Sequence, residues 1–261
     1  MINAPRLLNS SNKVLLPNTL FSDLQIDKIL SSQSIAVLQY PCEPGEIVRR
    51  NELFALLDDE ENLLRTEALL STLFTTERAL LLLSDAKVPL DRYYRKAEML
   101  GAYIASCKAI ASMRNLGALF AEVADYYSSA DKISILSGMK ESEQKIKTLL
   151  HEMSAGLLSF ADKNWLTPDY NAVSEIDIVS SCAEKLGFTI PKKKKQNAKI
   201  NLSFSDAICR LYADKVAQIE AEIAKYADVD FHEPTTYISE IKFFLEIHGL
   251  IQKAKIIGVP H

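Results

Sequence analysis

Apolar positions recur at helical spacing along most of the chain, and the breaks between these runs outline its elements. Met1 to Asn18, with Pro5 and Pro17, reads as an irregular arm. A short helix is predicted over Phe21 to Leu30, with Ser22 as its cap and Leu24, Ile26, Ile29 and Leu30 as its apolar side. Gln39 to Gly45 breaks the pattern with Pro41, Pro44 and Gly45. From Glu46 the period is helical again, through Ile47, Leu53, Phe54, Leu56 and Leu57. The acidic stretch Asp58 to Glu61 suits the first turn of a following helix, because carboxylates favour its positive end. That helix is predicted to reach about Ser84. Its stretch Ala79 to Leu83 is apolar all round, so burial on more than one side is expected.

Pro89 fits a first helical position, and a long run follows to about Asn115. Gly117 to Tyr127 makes a shorter helix, and Tyr126 to Asp131 supplies a break with Ser or Asp as the next cap. Two long amphipathic runs come next, Asp131 to Met153 and Ser203 to Tyr226. The first sets Ile135, Met139, Ile146, Leu149, Leu150 and Met153 against Lys140, Glu141, Glu143, Lys145 and Lys147. Helices of this length with narrow apolar stripes can pair as an antiparallel stalk. Between them, Leu157 to Phe160 and Asn164 to Thr167 suggest a hairpin, Tyr170 to Leu186 a helix, and Pro191 to Lys195 a solvated loop. A final run, Ser239 to Pro260, stops at Gly258 and Pro260. The predicted fold class is all-α: a multi-helix core, a long antiparallel helix pair, and a small insert at its tip that admits a hairpin.

Composition sharpens this only slightly. Eight Gly and nine Pro in 261 residues leave long unpunctuated runs, which favours helix. The net charge of −4 excludes a uniformly basic surface but leaves room for a local basic patch. Cys42, Cys107, Cys182 and Cys209 are far apart, so reduced thiols are expected rather than a disulfide framework or a zinc site. No apolar run approaches the roughly 18 residues of a membrane span. No signal-peptide pattern is read at the N-terminus either, so the expectation is a soluble, cytoplasmic protein.

Candidate chemistry is sparse. No G-x-x-x-x-G-K-[ST] phosphate loop, G-x-G-x-x-G, H-E-x-x-H or G-x-S-x-G is present. Gly187 to Lys192 lacks the second glycine, and His151-Glu152 lacks the second histidine. No catalytic, cofactor-binding or metal-ligating residue is therefore assigned, and the chain is not read as an enzyme. The candidate site is basic: Lys192, Lys193, Lys194 and Lys195, with Lys199 beyond, have the charge to contact DNA phosphates without reading sequence. No aromatic interleaves them, so base stacking is not indicated. Trp165, the only tryptophan, reads as a packing residue.

Four stretches together resemble the MutS family of DNA mismatch-repair ATPases. Phe21-x-Asp23-Leu24-x-Ile26-Asp27-x-Ile29 is similar to the family's F-x-D-L-x-L-D-x-I opening. Ile47-Val-Arg-Arg-Asn-Glu-Leu-Phe54, with Leu56 and Leu57, is similar to I-x-Y-R-x-x-V-F-x-D-L; Arg50 matches and Arg49 replaces Tyr. Asp169-Tyr170 with Val173 is a third match. Glu240-Ile241-x-Phe243-Phe244-Leu245, then Lys255 and Gly258-Val-Pro260, is similar to E-I-x-F-Y-L…G-x-P. The four span Phe21 to Pro260.

The resemblance implies a helical core followed by lever helices with a clamp-like insert. On that reading 1–20 is an arm, 21–130 the core, 131–153 and 203–226 the levers, 154–202 the tip insert, and 227–261 the return to the core. It further implies that the ATPase domain, with its ATP and Mg²⁺, follows this region. Here no cofactor is expected. The partners implied are double-stranded DNA through its backbone and, in the full-length protein, a second copy. Full MutS proteins carry a mismatch-reading F-x-E motif in an N-terminal domain; Phe244-Leu245-Glu246 fits that pattern by chance, in the final helix and so out of place. The alternative reading is a helical protein–protein scaffold with no role on DNA.

Overall fold

The structure, a computed structural model, describes residues 7, 16–39, 44–161 and 205–257 (backbone alone for 33, 154–161 and 257). All regular structure among the described residues is helical. The helices are α1 (Asn18–Asp23), α2 (Ser32–Leu38), α3 (Pro44–Leu56), α4 (Glu60–Asp85), α5 (Pro89–Ala111), α6 (Gly117–Tyr127) and α7 (Ala130–Ala161). A helical stretch at 205–211 precedes α8 (Ala213–Ala224) and α9 (Ile238–Ile257), and 3-10 turns lie at Ile26–Lys28 and Glu233–Tyr237. No helix among the described residues is long and apolar enough to cross a membrane.

Several helix starts follow from local chemistry. Asp59 accepts the Asn62 N–H at 3.0 Å and opens α4, whose first turn carries Glu60 and Glu61. Pro89 occupies the first position of α5, where its missing N–H costs nothing. The next N–H, of Leu90, is satisfied from a distance by Ser205 Oγ at 3.1 Å. Gly117 opens α6 at φ 82, a conformation that penalises a Cβ, and a Cβ there would also sit 2.9 Å from Leu56 Cδ1.

Five expectations are corrected. The helix expected over 21–30 splits into α1 and a 3-10 turn, because Gln25 takes a left-handed conformation (φ 54) and its N–H bonds back to Ser22 O. Ser22 does not cap; its hydroxyl donates to Thr19 O at 3.1 Å, and Ser31 caps α2 by accepting from Ser34 N. Ala79 to Leu83 is not enclosed: the buried stripe of α4, Thr66, Leu69, Leu73 and Thr76, ends before it, and Leu81 is 61% exposed. Residues 157–160, expected in a hairpin strand, continue α7 as helix. The expected helix 203–226 is interrupted at Tyr212, whose ψ of 37° departs from helical values. The remaining parts of the insert, with its hairpin and its 170–186 helix, lie outside the described residues.

The chain divides into two compact units. The first gathers described residues within Met1–Glu77, Ala105–Ser134 and Phe231–His261; the second gathers those within Arg78–Ile104 and Ile135–Asp230. Residues 78–104 thus cluster with α7 and α8 rather than with the other core helices. In the first unit α9 packs along α2, and α3 along α6. Phe54 of α3 meets Phe244 and Phe243 of α9 at centroid distances of 5.4 and 6.5 Å. Arg50 lies 5.4 Å over the Phe243 ring and pairs with Glu46, its Nε 3.1 Å from Glu46 Oε1. Thr76 and Ser106, both buried, share a 2.8 Å hydrogen bond that ties α4 to α5.

Phe244 is 1% exposed and fills this aromatic cluster. Phe244→Ala is expected to lower stability by about 3–4 kcal/mol, the usual cost of deleting a buried aromatic ring. Urea unfolding followed by circular dichroism checks this.

Candidate functional site

The five lysines singled out from sequence, Lys192 to Lys195 and Lys199, lie outside the described residues. The described part of the same unit holds the helices that flank that segment, and their packing is specific. Tyr226 Oη lies 3.1 Å from Ser142 Oγ, Lys145 Nζ 2.7 Å from Glu222 Oε1, and Lys215 pairs with Glu152. Contacts that climb α7 descend α8, so the two helices run antiparallel. Met139, Ile146, Leu150 and Met153 of α7 and Ile219 of α8 are buried.

A carboxylate is buried at this joint. Glu222 is 5% exposed and accepts from Ser142 Oγ at 2.8 Å, with Lys145 and Lys225 as its cationic partners. Lys145 first, then Lys225 and Ser142, stabilise the charged form against desolvation and hold the carboxyl at about 2. Glu143 is a second such group on the α5 side of α7. A Cβ at Gly101 of α5 would come within 2.9 Å of Glu143 Oε1, so glycine permits this close approach. Burial raises the Glu143 carboxyl, but Lys147 (2.7 Å) and Lys140 (2.9 Å) outweigh it, and the group lies below the usual range.

Sequence reading placed Glu143 on the solvated face and did not single out Glu222 or Ser142. A signal for Glu143 was present: Gly101 stands in the middle of a helical run, where glycine is unfavourable unless something approaches closely. For Glu222 the i,i+3 lysine at 225 looks like an ordinary surface pair, and only the fold brings Ser142 and Lys145 to it.

An open groove of about 450 Å³ runs along 205–211 and α8, lined by Asp206, Cys209, Arg210, Ala213, Val216, Ala217 and Glu220. Burial, then the nearby Asp206, pushes the Cys209 thiol up to about 11, so it stays protonated at neutral pH. Glu220 is engaged by the Tyr93 hydroxyl at 2.7 Å. Among the described residues no group of three or more His, Cys, Asp or Glu could hold a metal ion.

In the first unit the polar groups converge on α9. Glu240 Oε2 accepts the Leu7 N–H at 3.1 Å. Glu246 accepts from Ser31 N (3.2 Å), Ser31 Oγ (3.0 Å) and Ser34 Oγ at the start of α2. Asp58, in the turn between α3 and α4, receives His248, Gln252 and Lys255. The Lys255 hydrogen bond is the largest influence holding the Asp58 carboxyl below its usual range.

Comparison with known proteins finds no matching family model, curated protein or solved structure.

Glu222 carries a pH prediction. Its carboxyl is depressed from 4.5 to about 2, so its contribution is fully present above pH 4.5 and is lost as pH falls through 2. Lys145 and Lys225 are each half-exposed, which screens the pairs. Glu222→Gln should therefore cost only about 1 kcal/mol at pH 7. It should also flatten the fall in stability between pH 4.5 and pH 2. Urea unfolding of both proteins across that interval measures the difference.

Proposed function

We propose that this chain is the core and lever region of a MutS-like DNA-repair ATPase, relaying conformational change between an ATPase domain and DNA. The observation that carries the reading is where the resembling stretches lie. Arg50 and Phe54, from the second stretch, pack against Phe243 and Phe244, from the last. Residues similar to one family's motifs and distant in sequence thus share one hydrophobic cluster, which is the usual reason for such residues to be specified together. The antiparallel α7 and α8 give the lever reading a physical basis, since helices registered by buried polar contacts move as one body.

On this reading the chain performs no catalysis. ATP and Mg²⁺ belong to the ATPase domain, and the full-length protein acts as a homodimer. DNA contact falls to Lys192, Lys193, Lys194, Lys195 and Lys199, as point charges on phosphate. A second reading, a helical scaffold for another protein, has one observation in its favour. Val48 on α3 is 68% exposed and Leu64 on α4 is 57% exposed, apolar side chains that a partner protein would cover.

Fluorescence anisotropy with a double-stranded oligonucleotide at low salt separates the two. The expected result is weak binding that falls steeply with salt. Replacing the five lysines with alanine should weaken it at least tenfold and reduce the salt slope by several. Binding unchanged by that replacement would remove the lysine contact. Absence of binding together with a stable complex with a protein would favour the scaffold.

A further inference from the structure

Helix α9 changes character at His248. Ile241, Phe243, Phe244 and His248 are buried, whereas none of residues 249–256 is, and Ile256 is 86% exposed. Gly249 stands at the change. A Cβ built there meets nothing within 4 Å, so no neighbour demands glycine at this position. Glycine inside a helix lowers the local helical equilibrium about fivefold relative to alanine.

Beyond Gly249, two side chains tie α9 to the same group. Lys255 Nζ lies 2.9 and 3.1 Å from the two Asp58 carboxylate oxygens, and Gln252 Nε2 donates to Asp58 Oδ1. His248 Nε2, on the buried side of the change, lies 3.2 Å from the same oxygen. Asp58 is 46% exposed and sits in a turn, so these ties are open to water and to salt. A helix-weakening glycine, incomplete burial and one exposed anchor therefore coincide where the last two turns begin.

We propose that α9 from Gly249 onward is a latched segment: Asp58 holds it in place, and loss of the Asp58 contacts frees these turns while the buried half of α9 stays docked. Ordinary fraying would loosen the same turns without regard to Asp58. The inference rests on α9 and the α3–α4 turn alone and does not depend on the DNA-repair reading.

Hydrogen exchange of the whole chain at neutral pH, read by mass spectrometry, tests it, because amide exchange reports local opening. Asp58→Ala should speed exchange over 250–257 about fivefold to tenfold and leave 240–247 unchanged. Lys255→Ala, an exposed change that leaves the buried core untouched, should speed the same amides about twofold to threefold. Gly249→Ala has room for its methyl group and should slow them about fivefold. The latch is overturned if neither Asp58→Ala nor Lys255→Ala alters exchange over 250–257. Equal acceleration of 240–247 would overturn it too, since the buried half would then not be independent.

Discussion

The contact between Phe54 of α3 and Phe243 and Phe244 of α9 is the constraint on which the first unit depends. Burying these rings removes a large apolar area from water and fixes how α9 lies on α3. Beside these rings Arg50 lies over Phe243 and pairs with Glu46. The polar residues of α9 then reach outward in a set order. Glu240 meets the Leu7 backbone, Glu246 meets Ser31 and Ser34 at the start of α2, and Asp58 is met by His248, Gln252 and Lys255. A helix with an aromatic seam and acidic flanks thus accepts from N–H and hydroxyl groups on two other segments and donates to the Asp58 carboxylate on a third.

The second unit relies on a different device. Its helices bury carboxylates as well as apolar stripes, with Glu143 against α5 and Glu222 against α7. Each carries two lysines whose ammonium groups reach water. Such an arrangement adds little net stability, because desolvation offsets attraction. It does penalise alternative alignments, since a one-turn slip of α8 along α7 would strand Glu222 away from Ser142 and Lys145. A helix pair held in one register is what a mechanical role demands.

Much of this was legible in the residues. Pro89, Asp59 and the apolar stripe of α7 announced their elements, because each acts through its immediate neighbours. What escaped depends on distant partners. Gln25 turns the chain with a residue that gives no glycine-like warning. Glu143 and Glu222 look like surface charges until Gly101 and Ser142 are placed beside them. Ala79 to Leu83 is apolar enough for a core, yet the buried stripe of α4 stops short of it. For the candidate lysines the sequence supplies charge and spacing, and the structure adds the helices on either side of them.

The functional proposal and the architecture meet in α9, where the last of the resembling stretches becomes the organising helix of the first unit. If the buried half of that helix holds the unit together, that half must not open on its own. Native-state hydrogen exchange in increasing denaturant tests this directly. Amides of 241–247 and of 50–56 are expected to exchange through one shared opening, with the same free energy and the same denaturant dependence. Exchange of 241–247 through a smaller, separate opening, with 50–56 still protected, would contradict it.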